Sequence, residues 1–167
     1  MKRTIAVLTV VLGFSGLFLS AQSTDPAVQE AKAKLEVVYD LGRVFGYIHT
    51  MDKEQKNLAL SADKAKALVA VGDKIYAAKR LEPKAADALL SEIENKILGD
   101  AQLMFVDGLA LARQPAAESG TGAGSTGGTS PVQSYISGGP FNPMLDATKT
   151  LGKDFKAAYE YFKAKSK

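Results

Sequence analysis

From Asp25 to about Lys53 the apolar residues of this chain recur at helical spacing. One row is Ala31, Leu35, Val38, Gly42, Phe45 and Ile48, and beside it run Val37, Leu41, Val44, Ile48 and Met51. Two adjacent rows make a wide apolar stripe, so the pattern predicts a helix packed on more than one neighbour. Asp25-Pro26 supplies its start, a capping carboxylate followed by proline at the first helical position. The β-branched residues, with Gly42 and Gly46, leave a kink or a break open along it.

Three shorter helical segments with a common plan follow. The first is capped by Ser61 after Leu60, with Ala65, Leu68, Val69, Gly72, Ile75 and Tyr76 on one face. The second follows Leu81-Glu82-Pro83 and carries Ala86, Leu89, Leu90, Ile93 and Ile97. The third follows Leu98-Gly99-Asp100 and carries Leu103, Val106, Leu109 and Ala110. Each has a leucine just before its start, placed to staple the chain to the following turn. This is a degenerate repeat, too irregular for a solenoid array. Short links between the helices favour antiparallel neighbours.

Between Gln114 and Pro140 the pattern stops. Seven of these residues are glycine, many others are Ser or Thr, and Glu118 is the only charge. The stretch Gly120 to Ser130 has almost nothing to bury, which predicts a flexible linker. Val132, Tyr135 and Ile136 give Pro131 to Ser137 the means to dock as a short extended segment, or to be merely a stickier patch in the linker. A last amphipathic helix is expected from Asn142-Pro143, with Leu151, Phe155, Ala158, Tyr159 and Phe162 as an aromatic stripe. Lys163, Lys165 and Lys167 sit at its end, where positive charge suits the helix dipole. Folding back onto the preceding helices is expected, against docking on a partner or membrane surface with the linker as a tether.

The first residues carry a different pattern. Lys2 and Arg3 precede an apolar run from Thr4 to Ser20, and the next charge is Asp25. A basic start, an apolar stretch and small residues after it make the secretory signature of an exported bacterial protein. Ala21-Gln22-Ser23 favours a cut after Ser23, with Ala21 as the alternative. The rival is an uncleaved anchor, but the run is near the lower length limit for spanning a bilayer, and Gly13, Ser15 and Gly16 weaken it. The division expected is a signal peptide (or anchor) at 1–23, a helical domain at 24–113, the linker at 114–140, and at 141–167 a C-terminal helix packing on the domain. The fold class expected is all-α, a small bundle of about five helices.

Composition then narrows the chemistry. There is no cysteine, so a lipoprotein anchor is set aside, and a small exported domain must hold itself together by packing rather than by disulfides. Without Lys2 and Arg3 the 21 basic residues against 18 acidic become 19 against 18, which leaves no electrostatic case for nucleic acid. His49 is the only histidine, and no Ser has a context that marks it as a nucleophile, so it reads as a polar residue at the edge of a packed helix. Asp87, Glu92 and Glu94 share a helix at spacings that form no tight cluster and read as a solvated face. The run from Gly120 to Gly128 has no preceding strand and no closing Gly-Lys-Ser/Thr, so it is not a phosphate loop. Met51, Met104 and Met144 are scattered and read as gap-fillers in a core. No catalytic, cofactor-binding or metal-binding residues are therefore assigned, and no cofactor is expected.

Two segments carry a resemblance. Leu60-Ser61-Ala62-Asp63-Lys64 and Leu98-Gly99-Asp100-Ala101-Gln102 resemble the Leu-Thr-x-x-Gln helix-start motif of the Spy-like periplasmic proteins, which carry it twice in a small all-helical chain. Lys64 stands where the pattern has glutamine and Gly99 where it has threonine, and the glycine-rich stretch and aromatic last helix have no counterpart. The resemblance implies an ATP-independent chaperone, often dimeric, that cradles unfolded envelope proteins. The expectation is an exported, non-enzymatic helical binding protein, periplasmic or extracellular, with a protein as partner and chaperone-like action as its specific form. The alternative is an envelope structural component tethered by an uncleaved N-terminal helix, with the membrane a partner only in that case.

Overall fold

The computed structural model describes residues 25–112 and 130–167, and within them the chain is all-α. Helix α1 is Pro26–Glu54, α2 is Ala62–Ala77 and α3 is Pro83–Glu92, which continues into a π-helical turn at Ile93–Ile97. Helix α4 is Asp100–Ala112, α5 is Pro131–Ile136 and α6 is Thr150–Lys165, with 3-10 turns at Lys56–Leu58 and Pro143–Leu145. The expected signal segment and the glycine-rich run from Gly120 to Gly128 lie outside the described residues.

Helix α1 is the axis of the bundle. The Asp25 carboxylate accepts the Ala27 N–H at 2.9 Å and Pro26 takes the first turn, so the start follows from two residues. Its wide stripe buries Leu35, Val38, Leu41, Phe45, Ile48 and Met51, because α3, α4, α5 and α6 all lie against it. The helix runs unbroken through Gly42 and Gly46. Gly42 instead permits a close approach: a Cβ there would meet the Leu151 side chain at 2.9 Å and Met144 at 3.1 Å.

The capping expected at Ser61 is present, its hydroxyl accepting the Lys64 N–H at 3.2 Å. On α2 the buried set is Ala65, Leu68, Val71, Gly72 and Ile75, so Val71 rather than Val69 faces inward. The choice depends on where α6 and the π turn lie against α2, which spacing along one helix does not contain. At the end of α3 the Leu98 N–H bonds to the Ile93 carbonyl at 2.9 Å, the i to i+5 bond of a π turn. The wider turn leaves Ile93, Ile97 and Leu98 all buried.

Within the segment assigned to the linker, residues 130–140 are folded onto the bundle, the docking alternative for Pro131 to Ser137. Ser130 caps α5, which is helical rather than extended, and Gly138 ends it at φ 78°, a left-handed position suited to glycine. Arg80 holds this segment. Its guanidinium donates to the Tyr135 and Gly139 carbonyls at 3.1 and 2.7 Å, lies 4.0 Å from the Tyr135 ring centroid, and pairs with Glu82. The described residues hold six helices, in keeping with the small all-α bundle of about five that was expected, and α5 is the element that the composition obscured.

Asn142-Pro143 heads only the 3-10 turn, and the last helix begins seven residues later than expected. The Asn142 amide donates to the Ile75 and Ala78 carbonyls, both at 2.8 Å, so its side chain closes the end of α2. The chain then turns at Asp146, whose carboxylate accepts from the Thr148 N–H and hydroxyl. The Asp146 carbonyl lies directly where a Cβ on Gly152 would be, so only glycine lets α6 start there.

Helix α6 lies across α1 and α2. Phe155 and Phe162 are fully buried against Phe45, with ring centroids 4.9 and 6.1 Å from it. Gly72 leaves room for Tyr159, whose ring would stand 2.5 Å from a Cβ at that position. The Tyr159 hydroxyl donates to Asp73 at 2.6 Å. At the far end Asp52, with a fully buried side chain, accepts from the Leu60 N–H at 2.5 Å, the Tyr161 hydroxyl at 2.7 Å and the Lys165 ammonium at 2.7 Å. Burial pushes the Asp52 carboxyl up, but these hydrogen bonds outweigh it and hold the group below the ordinary carboxylate range.

Two outcomes follow from this packing. Gly152→Ala is expected to destabilise the fold by roughly 1–3 kcal/mol, since backbone must move to admit the methyl, as read by urea titration. Hydrogen bonding to Asp73 and Asp52 raises the Tyr159 and Tyr161 phenols to about 12. A raised folded-state pKa gives stability that is complete below the unfolded tyrosine value of about 10 and is lost as pH climbs through the folded value. The near-UV circular dichroism of the bundle should therefore decay between about pH 10 and 12, and Tyr161→Phe should flatten that decay.

Candidate functional site

Among the longer helices, α4 stands apart in how little of its apolar surface the bundle covers. Of its residues only Gln102 and Val106 are buried, while Met104 is 76% and Leu111 72% exposed. Leu103, Phe105 and Leu109 are half-buried, and Ala110, expected on the inner face, is exposed. Met104 is thus no gap-filler, in contrast to Met51 and Met144, which are buried. The sequence assigned an inner face to α4 correctly at Val106 but gave no reason to expect an apolar outer face as well.

Two shallow grooves run along that outer face. One, of about 430 Å³, is lined by Leu58, Ala101, Met104, Phe105, Gly108 and Leu109. The other, of about 410 Å³, is lined by Asp100, Leu103, Met104, Asp107, Gly108 and Leu111. Met104 and Gly108 belong to both, so Met104 is the ridge and Gly108 the gap in it. A Cβ built at Gly108 meets nothing within 4 Å, which makes the gap open to solvent rather than filled by the bundle.

The two Leu-Thr-x-x-Gln-like segments set the base of this helix. Leu60 and Leu98 are both buried. Each copy forms half of a capping box. In the first, the Ser61 hydroxyl accepts the Lys64 N–H, while the Lys64 side chain has no acceptor to reach back with. In the second, Gly99 offers no hydroxyl, while the Gln102 side-chain oxygen reaches back to the Gly99 N–H at 3.0 Å. The departures meet: the Lys64 ammonium donates to that same Gln102 oxygen at 2.6 Å, and the Gln102 amide donates to the Leu58 carbonyl at 2.8 Å. Leu58, a groove residue, is therefore fixed by the motif pair.

The other residues weighed from sequence are placed apart from this face. His49 is half-buried beside Tyr161, ring centroids 4.7 Å apart, and burial lowers its pKa. Glu92 pairs with Lys74 on α2 at 2.8 Å. Glu94 is raised by burial and by the nearby carboxylates of Asp107 and Asp87, so the acidic residues of α3 continue those of α4. Among the described residues no group of three or more His, Asp or Glu is arranged to hold a metal ion, and no helix is long and apolar enough to cross a membrane. Comparison with family models, curated proteins and solved structures returned no match to this chain.

Gly108 separates the face from the fold. Gly108→Ala adds a methyl to open space and replaces a poor helix former, so it is expected to stabilise the protein by roughly 0.5–1 kcal/mol in thermal or urea unfolding. A loss of stability would show that the face is covered in solution.

Proposed function

We propose that this chain is an exported, non-enzymatic helical protein of the bacterial envelope that binds another protein through the outer face of α4. The observation that carries the reading is the pairing of Met104 and Leu111, both mostly exposed, around an open glycine on an otherwise well-packed bundle. Contiguous apolar surface rimmed by polar groups is the usual mark of a binding surface. Full burial of a Met and a Leu is worth roughly 1.5–3 kcal/mol each, enough to support association once the ordering cost of a partner is met.

Export is supported by Lys2 and Arg3 ahead of the apolar run from Thr4 to Ser20 and by the small residues that follow it. Chaperone-like action is the specific form we favour. Shallow open grooves with a flexible thioether ridge suit varied apolar segments better than one rigid ligand. The two motif-like helix starts, joined through Lys64 and Gln102 beneath the face, are compatible with the same reading.

The test is recovery of the protein from its native envelope, with its N-terminal mass and its effect on aggregation of a denatured client both measured. A start at Gln22 or Thr24 and suppression that Met104→Asp with Leu111→Asp abolishes are expected. Retained Met1 or Lys2 would overturn export by cleavage. Suppression equal in parent and variant would remove α4 from the function.

A further inference from the structure

The outer residues of α4 form a seam. Ala101, Met104, Gly108 and Leu111 are spaced by three, four and three, the a/d spacing by which one helix packs along another. The two sides of the seam differ in character. One carries Asp100 and Asp107, and beyond them Glu94 from the π turn and Asp87 from α3, all exposed. None of these four carboxylates is in an ion pair with another described residue, although like charges surround Glu94. The other side carries Phe105, with Leu58 beside it.

This asymmetry discriminates between occupants. A second copy of the chain would pair α4 with α4 about a two-fold axis. With the helices antiparallel, Asp100 and Asp107 would face their own counterparts. With the helices parallel, they would face Phe105 of the other copy. The first arrangement sets like charges together and the second desolvates carboxylates against an aromatic side chain, so both oppose self-pairing. A helix with an apolar stripe and a basic flank meets neither penalty.

We propose that this face takes an amphipathic helical segment of another protein, with a large apolar side chain seated over Gly108 between Met104 and Leu111, and Lys or Arg along Asp100 and Asp107. The proposal rests on the binding role of α4 given above and adds the chemistry of what is bound. The open space at Gly108 provides the hole, Met104 and Leu111 its walls, and the carboxylates, which have no ion-pair partner among the described residues, the choice of flank.

The experiment titrates the purified protein with two fluorescent synthetic helices. Both have leucine along the seam positions, and one carries Lys and the other Glu at the flanks. The Lys peptide is expected to bind about tenfold more tightly at low salt, with the ratio falling towards one as salt screens the exposed charges. Asp100→Lys combined with Asp107→Lys should invert the preference. Gly108→Leu should weaken both peptides by roughly tenfold or more with no fall in thermal midpoint, since its side chain enters open space. Equal binding of the two peptides, or a ratio untouched by charge reversal, would overturn the basic-flank assignment while leaving α4 as a general apolar surface. A dimer of the protein that Gly108→Leu dissolves would give the face to a second copy and overturn the proposal. Binding of neither peptide, with client protection still lost in the Met104→Asp, Leu111→Asp variant, would sink this inference alone.

Discussion

The bundle depends most on one buried carboxylate. Asp52 lies near the end of α1, its side chain fully out of solvent, and three donors from two other elements converge on it: the Leu60 N–H at the start of α2, and Tyr161 and Lys165 of α6. An unpaired charge at such a site would be costly, and removing one partner of a buried pair typically costs about 3–5 kcal/mol. The carboxylate therefore holds its partners in one arrangement in a way that apolar packing alone does not. With no disulfide to tie distant segments, this contact joins residues more than a hundred positions apart.

The constraint reaches the candidate site through short steps. Fixing Leu60 fixes the connection from Gln55 to Ser61, and that connection presents the Leu58 carbonyl to Gln102. Gln102 in turn takes up the Gly99 N–H and the Lys64 ammonium, which seats the first turn of α4. Helix α4 is held by these polar contacts at its base and by Val106 along its length, while Met104, Gly108 and Leu111 stay outside the core. The face is thus apolar surface on a helix whose placement does not require that surface to be buried.

Much of the architecture was legible in particular residues. Asp25-Pro26 and Ser61 announce helix starts by local hydrogen bonding, and both caps are made. The twin rows of α1 imply several neighbours because a stripe of that width calls for partners on more than one side, and four helices lie against it. The misreadings share a cause. Asn142-Pro143 has the chemistry of a helix start, but its amide is engaged at the end of α2 and the helix waits for Gly152. Residues 130–140 look like linker by composition, yet Arg80, fifty-odd positions earlier, supplies the cation that orders them. Met104 and Met51 are alike as residue types, and only the positions of neighbouring helices make one surface and the other core.

By itself the sequence determined the helical class, most of the helix starts, the inward rows of α1 and the absence of any cysteine-based chemistry. These are set by period, capping and residue type, which act within a few positions along the chain. The tertiary structure alone decided that Asp52 is the common acceptor of Leu60, Tyr161 and Lys165, that two half capping boxes complete each other through Lys64 and Gln102, and that the outer side of α4 is left open. Those outcomes depend on contacts between residues far apart in sequence, and the interaction energies that choose among them exist only once the helices are packed.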